Sequence, residues 1–182
     1  MSLLLIDPNR DMSPWKKAIL SIDPDIEIDI WPAIQDKERV QFAACWNQPK
    51  YLMDSFPNLK AVSSLGAGAD HLLVDESLPE AVDICRIVSP SLVKQMREYV
   101  TGAVISIRRH FVRYIRQKDK QQWKAYNHGE ALHARVGVMG LGAMGEPVAR
   151  QLVQLGYDVS GWSRTPSDLK GVRCFAGSSQ LT

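Results

Sequence analysis

Hydrophobic positions along the chain follow two periods. In the first ninety residues short apolar runs end at polar or glycine breaks: residues 3–6 end at Asp7-Pro8, residues 41–46 at Asn47-Gln48-Pro49, residues 59–64 at a glycine loop, and residues 83–88 close the series. Each run has the length and composition of a buried strand. Ile26, Ile28 and Ile30 alternate with Glu27 and Asp29, which predicts a strand with one wet face near a sheet edge. Ser13-Pro14 reads as an N-cap and a first helical position, and predicts a helix to about Leu20. From Ser91 to about Lys118 the period changes. Leu92, Met96, Tyr99, Val100, Ala103, Val104, Ile107, Phe111 and Ile115 recur at helical spacing. They predict one helix, capped by Ser91 and roughly 40 Å long, enough to run from one domain to another. Strands alternating with helical stretches predict a parallel α/β sheet, with ligands beyond the carboxyl ends of its strands.

A second strand–helix–strand pattern begins at Arg135. Val136, Val138 and Met139 form a short apolar run, and Gly140, Gly142 and Gly145 follow as G-x-G-x-x-G. Glu146 and Pro147 occupy a helix first turn, where a carboxylate complements the dipole and a proline loses no hydrogen bond. Val148, Ala149, Leu152, Val153 and Leu155 give the helix an apolar stripe, Gly156 is placed to cap it, and residues 157–162 resume a strand. In this context the glycine turn, residues Gly140, Leu141, Gly142, Ala143, Met144 and Gly145, is expected to hold the pyrophosphate of a dinucleotide at the helix N-terminus. An NAD site has an Asp or Glu about 20 residues past the glycines to bind the ribose 2′-OH. Here the strand ends in Ser163-Arg164-Thr165. Two hydroxyls and a guanidinium suit a 2′-phosphate, so NADPH is expected over NADH. An ordinary solvated arginine is the alternative reading of Arg164.

The loop Gly66-Ala67-Gly68-Ala69-Asp70-His71 has two of the three glycines. Its backbone N–H groups suit a compact anion such as a carboxylate, although a tight turn without a ligand fits the same residues. Trp46, at the end of a neighbouring strand, is placed to wall such a pocket or to sit in the core.

Composition narrows the classes. The 182 residues are 45% hydrophobic, enough for a packed core. A net charge of +2 argues for neither nucleic acid nor membrane, and no apolar run approaches the ~20 residues of a span. The N-terminus lacks a basic region ahead of its apolar residues, so neither a signal peptide nor an anchor is expected. Cys45, Cys85 and Cys174 are widely spaced and read as reduced thiols of a cytoplasmic protein. Arg108, Arg109, Arg113, Arg116 and Lys118 near the end of the long helix read as a solvated basic turn. Residues 121–134, with Trp123, Tyr126, His128 and His133, read as an arm packing on another surface, and the two histidines lack the partners of a metal site. A nucleotide domain built on this pattern has further strands. The chain therefore reads as truncated, with apolar sheet surface left exposed.

Taken together, Cys45-Trp46-Asn47-Gln48-Pro49, the stretch 59–71 with its Leu65-Gly66-Ala67-Gly68 loop, Met96-Arg-Glu-Tyr-Val100, and residues 136–145 followed by Gly161-Trp162-Ser163-Arg164 resemble the N-terminal part of the D-isomer-specific 2-hydroxyacid dehydrogenases, in particular the glyoxylate/hydroxypyruvate reductase A group. The resemblance covers essentially the whole chain. It implies an α/β protein with a flavodoxin-like substrate domain (1–90), an interdomain helix and dimerisation arm (91–134), and the first βαβ part of a Rossmann cofactor domain (135–182). It implies that Leu65, Gly66 and Ala67 bind the substrate carboxylate through backbone amides, that Trp46 lies beside the substrate, and that Met96 lies near the nicotinamide. It further implies an NADP-dependent oxidoreductase that reduces a small 2-oxo acid, a homodimer without nucleic-acid or membrane partners. The family's catalytic arginine, histidine and carboxylate have no counterpart here, so no catalytic residue is assigned and the 182 residues alone are expected to be inactive. Two other readings stand beside this one: a noncatalytic dinucleotide-binding module like the corepressors of the same fold, and a gene remnant without function.

Overall fold

The short apolar runs of the first ninety residues become five parallel strands, β1 (Ser2–Ile6), β2 (Glu27–Ile30), β3 (Phe42–Cys45), β4 (Ala61–Ser64) and β5 (Asp83–Arg86), in the order β2-β1-β3-β4-β5. The structure, a computed structural model, describes residues 2–127 and 134–181, and the chain divides into two units, Met1–Ile87 and Val88–Thr182. Strand alternation sends Leu4 and Ile6 into one core with Val40, Phe56, Val62 and Leu72, and Leu5 into another with Met12 and Ile28. The central strands are therefore covered on both faces, whereas β5, at the edge opposite β2, is exposed at all four positions and so is not the buried strand its apolar run predicts. Fully burying each of these aliphatic side chains stabilises the unit by about 1.5–3 kcal/mol. Strand β2 lies at the edge, as its alternation predicts. Register aligns Ile6 with Cys45, Cys45 with Ser64, and Ser64 with Arg86, so the loops after β3 and β4 leave the sheet side by side.

The first helix, α1 (Ser13–Leu20), corrects the expected cap. Ser13 is already helical, and the carboxylate of Asp11 accepts the Ser13 N–H at 2.9 Å. That backbone hydrogen bond holds the Asp11 carboxyl below its ordinary range. A one-turn helix, α2 (Asp70–Leu73), follows the glycine loop.

In the second unit β6 (Arg135–Met139), β7 (Asp158–Ser163) and β8 (Val172–Ala176) form a parallel sheet in sequence order. The helix α5 (Gly145–Gln154) buries Val148, Ala149 and Leu152 in a core with Val159 and Leu169, against which Val136, Val138, Val100 and Val104 also pack. Gly156 (φ +82°) ends the helix: its N–H donates to the Val153 carbonyl, and the Tyr157 N–H to that of Leu152. This is the paired-bond termination that a left-handed glycine permits. Met139 and Phe175 remain 75% and 41% exposed.

The long helix predicted from Ser91 to Lys118 is two helices, α3 (Pro90–Arg108) and α4 (Phe111–Asp119). Helix α3 has Ser89 at its N-cap position, two residues before the expected cap Ser91, and its 19 residues from Pro90 span about 28 Å. The break falls at His110, which adopts the left-handed conformation (φ +59°) without being glycine. Its ring packs edge-on against Tyr126 with centroids 5.3 Å apart, and the Tyr126 N–H donates to the Tyr114 hydroxyl. Contacts distant in sequence offset a local cost of ~1–2 kcal/mol, so helical periodicity continues straight through the break. His128 and His133 lie outside the described residues.

Candidate functional site

The loop after β4 is tied down by its own chain. Ser64, fully buried, donates its hydroxyl to the Gly68 carbonyl at 2.6 Å and accepts the Gly66 N–H at 3.1 Å. The Gly66 carbonyl accepts from the Ile87 N–H, and the Ala67 carbonyl from the Arg86 guanidinium at 2.8 Å. These bonds turn the loop carbonyls toward the protein. The Leu65 N–H donates to the Cys45 carbonyl, continuing the β3–β4 ladder. Among the described residues no partner is recorded for the N–H groups of Ala67 and Gly68. The expectation of three amides, those of Leu65, Gly66 and Ala67, is thus altered: the first two are engaged, and the open adjacent pair is Ala67 and Gly68. Two consecutive unpaired N–H groups suit a carboxylate.

Trp46 lies directly over this loop. A Cβ on Gly66 would come within 2.7 Å of the Trp46 ring, so only glycine admits the indole at that distance. The Trp46 ring also meets His71 in an edge-on contact with centroids 4.9 Å apart. In the core of the same unit, the buried Cys45 thiol is pushed up to about 12, chiefly by desolvation and secondarily by the charge of Asp75. It is a packed thiol and not a nucleophile at neutral pH.

In the second unit the glycine turn between β6 and α5 has the geometry of an anion cradle. Gly140 sits at φ +101°, and its N–H donates to the Trp162 carbonyl at 2.7 Å. A Cβ on Gly145 would overlap the Gly140 carbonyl oxygen, which is how the helix start comes so close to the turn. Above Gly142 nothing lies within 4 Å of where a Cβ would be. No partners are recorded among the described residues for the N–H groups of Gly142, Ala143 and Met144 at the start of α5. Open donors at the positive end of a helix dipole fit a pyrophosphate. Glu146 pairs with Arg150 at 2.9 Å, which offsets its repulsion of an anion at that end. Leu141 is 7% exposed with its side chain in the core, leaving only its backbone facing the turn.

At the end of β7 the Ser163 hydroxyl donates to the Thr165 carbonyl at 2.7 Å and lies 3.0 Å from that of Ser167. Arg164 and Thr165 are exposed, and Arg164 has no recorded partner among the described residues. Met96 lies on α3 and is 39% exposed.

Four contributors escaped the sequence reading. Ser64 and Ser167 act through hydroxyl contacts that spacing does not reveal. Arg150 was legible as the i+4 partner of Glu146. Gly161 is required because a Cβ there would lie 2.6 Å from Leu141 Cδ2, and a glycine inside a strand is the signal for such a close approach. Among the described residues no cluster of three or more His, Cys, Asp or Glu side chains is placed to hold a metal, and no helix is long and apolar enough to cross a membrane.

Residues 101–177 match the family described as D-isomer specific 2-hydroxyacid dehydrogenase, NAD binding domain. Along its whole length the chain is 30% identical to glyoxylate/hydroxypyruvate reductase A of Yersinia enterocolitica, and over 99% of its length 28% identical to that of Serratia proteamaculans. It spans 59% of each of these relatives. Among solved structures, a D-isomer-specific 2-hydroxyacid dehydrogenase from Xanthobacter autotrophicus Py2 in complex with NADPH and MES superposes with a TM-score of 0.91 at 34% identity, over 99% of this chain and 58% of that one. The NADPH-dependent glyoxylate/hydroxypyruvate reductase of Sinorhizobium meliloti, in complex with NADP and sulfate, gives 0.85 at 30% identity, over 98% of this chain and 58% of that one. With both glycine loops in place and the whole-length matches running through both units, the chain is similar to the N-terminal part of the D-isomer-specific 2-hydroxyacid dehydrogenases, and residues 101–177 match the NAD binding domain of that family.

Proposed function

We propose that this chain supplies the carboxylate-binding loop and the first phosphate-binding turn of an NADPH-dependent reductase that converts glyoxylate or hydroxypyruvate to the 2-hydroxy acid. The observation that carries the reading is the end of β7, where Ser163-Arg164-Thr165 offers an exposed guanidinium and no carboxylate. The names of the curated relatives and the NADPH and NADP bound in two similar structures support it.

Each residue then has a role. The N–H groups of Gly142, Ala143 and Met144 receive the pyrophosphate, and Gly140 and Gly145 set the turn that aims them. Arg164 pairs with the 2′-phosphate through its planar fork, the Thr165 hydroxyl adds a donor, and Ser163, whose own hydroxyl donates to the Thr165 carbonyl, shapes the turn that presents both. Met96 borders the nicotinamide. In the first unit Ala67 and Gly68 receive the substrate carboxylate, Ser64 holds their loop in shape, and Trp46 excludes water beside it. Bound NADPH supplies the hydride, while the chain binds and orients. No residue of this chain is assigned to polarise the 2-oxo group or to deliver the proton, so the 182 residues bind without turning over. The protein is proposed to work as a homodimer in the cytoplasm; the exposed Trp123 on the segment after α4 fits a surface that a second subunit covers.

The test is NADPH oxidation by the natural protein, recovered from its source through this N-terminal sequence. Turnover with glyoxylate or hydroxypyruvate, faster with NADPH than with NADH, is expected. No turnover with any small 2-oxo acid, or a preference for NADH, overturns the proposal.

A further inference from the structure

A second cavity in the first unit belongs to none of the roles above. It has a volume of about 340 Å³ and lies between the loop after β3, through Asn47, Gln48, Lys50 and Tyr51, and the segment at α2, through His71 and Asp75. Neither Gly66, Ala67 nor Gly68 lines it. Four buried side-chain atoms lack a hydrogen-bond partner among the described residues, and three of them belong to residues of this cavity: Gln48 Oε1, His71 Nε2 and Asp75 Oδ2. Buried polar atoms are nearly always paired, so three orphans around one space point to a missing ligand. The loop is also held in an unusual shape, since Asn47 (φ +51°) and Tyr51 (φ +60°) are both left-handed. Such conformations persist where the surroundings impose them, often at ligand sites.

The orphan set defines the chemistry. Gln48 donates its amide N–H to the His71 carbonyl at 3.0 Å, which orients the amide and leaves Oε1 as an acceptor. The Asp75 Oδ1 atom accepts from both the Ser77 N–H and its hydroxyl, so Oδ2 is the oxygen left open. His71 Nε2 is a third acceptor when its proton is on Nδ1. Two oxygens, one carrying carboxylate charge, and an imidazole nitrogen match the three N–H donors and the positive charge of a primary ammonium. A water molecule supplies only two donors and leaves the carboxylate without a counter-charge. Lys50, at the exposed edge of the cavity, has no recorded partner there and offers a cation to any carboxylate the same ligand carries. We infer that this cavity binds a small molecule through a primary ammonium group held by Gln48, His71 and Asp75.

The experiment is a nuclear magnetic resonance titration of the labelled 182-residue chain with methylammonium, with glycine, and with acetate. Methylammonium isolates the ammonium, and glycine adds a carboxylate for Lys50. Saturable shifts of the Gln48 amide and His71 imidazole signals are expected with at least one of the first two, at millimolar concentration or below. Asp75→Asn keeps Oδ1 for Ser77 and removes the charge, and should weaken that binding by about ten-fold or more. Should that variant not fold, Gln48→Met removes one acceptor and should weaken binding in the same sense. The inference is overturned by the absence of saturable shifts with both ammonium probes, by equal binding of acetate, or by unchanged affinity in a folded Asp75→Asn protein.

Discussion

Replacing Gly145 with alanine sets two effects of opposite sign against each other. Alanine at the start of α5 is a better helix former than glycine, by at most about 1 kcal/mol. Against this, the new Cβ would overlap the Gly140 carbonyl oxygen and lie 3.2 Å from Val138 Cγ1. The carbonyl cannot swing aside freely, because Gly140 is held at φ +101° with its N–H on the Trp162 carbonyl at 2.7 Å. Relieving the overlap costs roughly 1–3 kcal/mol for overpacking, and loss of the anchoring hydrogen bond adds about 1 kcal/mol. The steric cost wins, and Gly145→Ala should destabilise the second unit by ~1–3 kcal/mol. Gly142→Ala is the control: it has open space and no positive φ, so stability should change by less than about 0.5 kcal/mol. Its methyl would fill the space assigned to the pyrophosphate, and NADPH affinity should fall by about ten-fold or more. Urea unfolding read by hydrogen exchange of the α5 amides measures the first effect, and fluorescence titration with NADPH the second. A Gly145→Ala protein as stable as the parent would refute the close-packing argument, and normal NADPH binding by Gly142→Ala would refute the cradle.

Arg164→Ala should weaken NADPH binding by ~1.5 kcal/mol, the low end for a charge-assisted bond because the side chain is exposed, and leave NADH binding unchanged; equal losses for both cofactors would remove the 2′-phosphate role. The raised Cys45 thiol predicts alkaline instability. Its folded value of about 12 exceeds the ordinary 9.0, so the folded state retains a proton that the unfolded state releases. Stability is then fully present below pH 9 and falls between about 9 and about 12, by up to ~1.4 kcal/mol per pH unit, and Cys45→Ala should flatten that slope in urea melts. Thiol labelling at neutral pH should modify exposed Cys85 readily and spare buried Cys45; rapid labelling of Cys45 in folded protein would contradict its burial. Gly66→Ala should displace the Trp46 ring from the carboxylate loop, visible as a change in indole fluorescence, and an unchanged spectrum would count against their contact.

The central strands β1, β3 and β4 were legible because parallel strands covered on both faces read as apolar runs, and β2 because a half-buried edge alternates; the run at β5 gave the strand but not its exposure, since its place at the sheet edge is set by strand order. The phosphate turn was legible for a different reason. Gly140 and Gly145 answer backbone requirements that no other residue meets, so they are visible in the sequence alone. The break at His110 was not, since aromatic contacts from Tyr126 and Tyr114 impose it and neither glycine nor proline marks it. Which amides of the glycine loop stay open was not legible for a similar reason: the Ser64 hydroxyl claims the Gly66 N–H, and which amide a buried hydroxyl takes depends on loop geometry. The cavity between Gln48 and Asp75 brings together residues more than twenty positions apart, with no spacing rule that joins them.

Cofactor discrimination by this chain itself tests the 2′-phosphate role of Arg164 most directly. Calorimetric titration of the 182 residues with NADPH and with NADH should give NADPH the tighter binding by about ten-fold, with Arg164→Ala abolishing the difference. Equal affinities, or a preference for NADH, would contradict it.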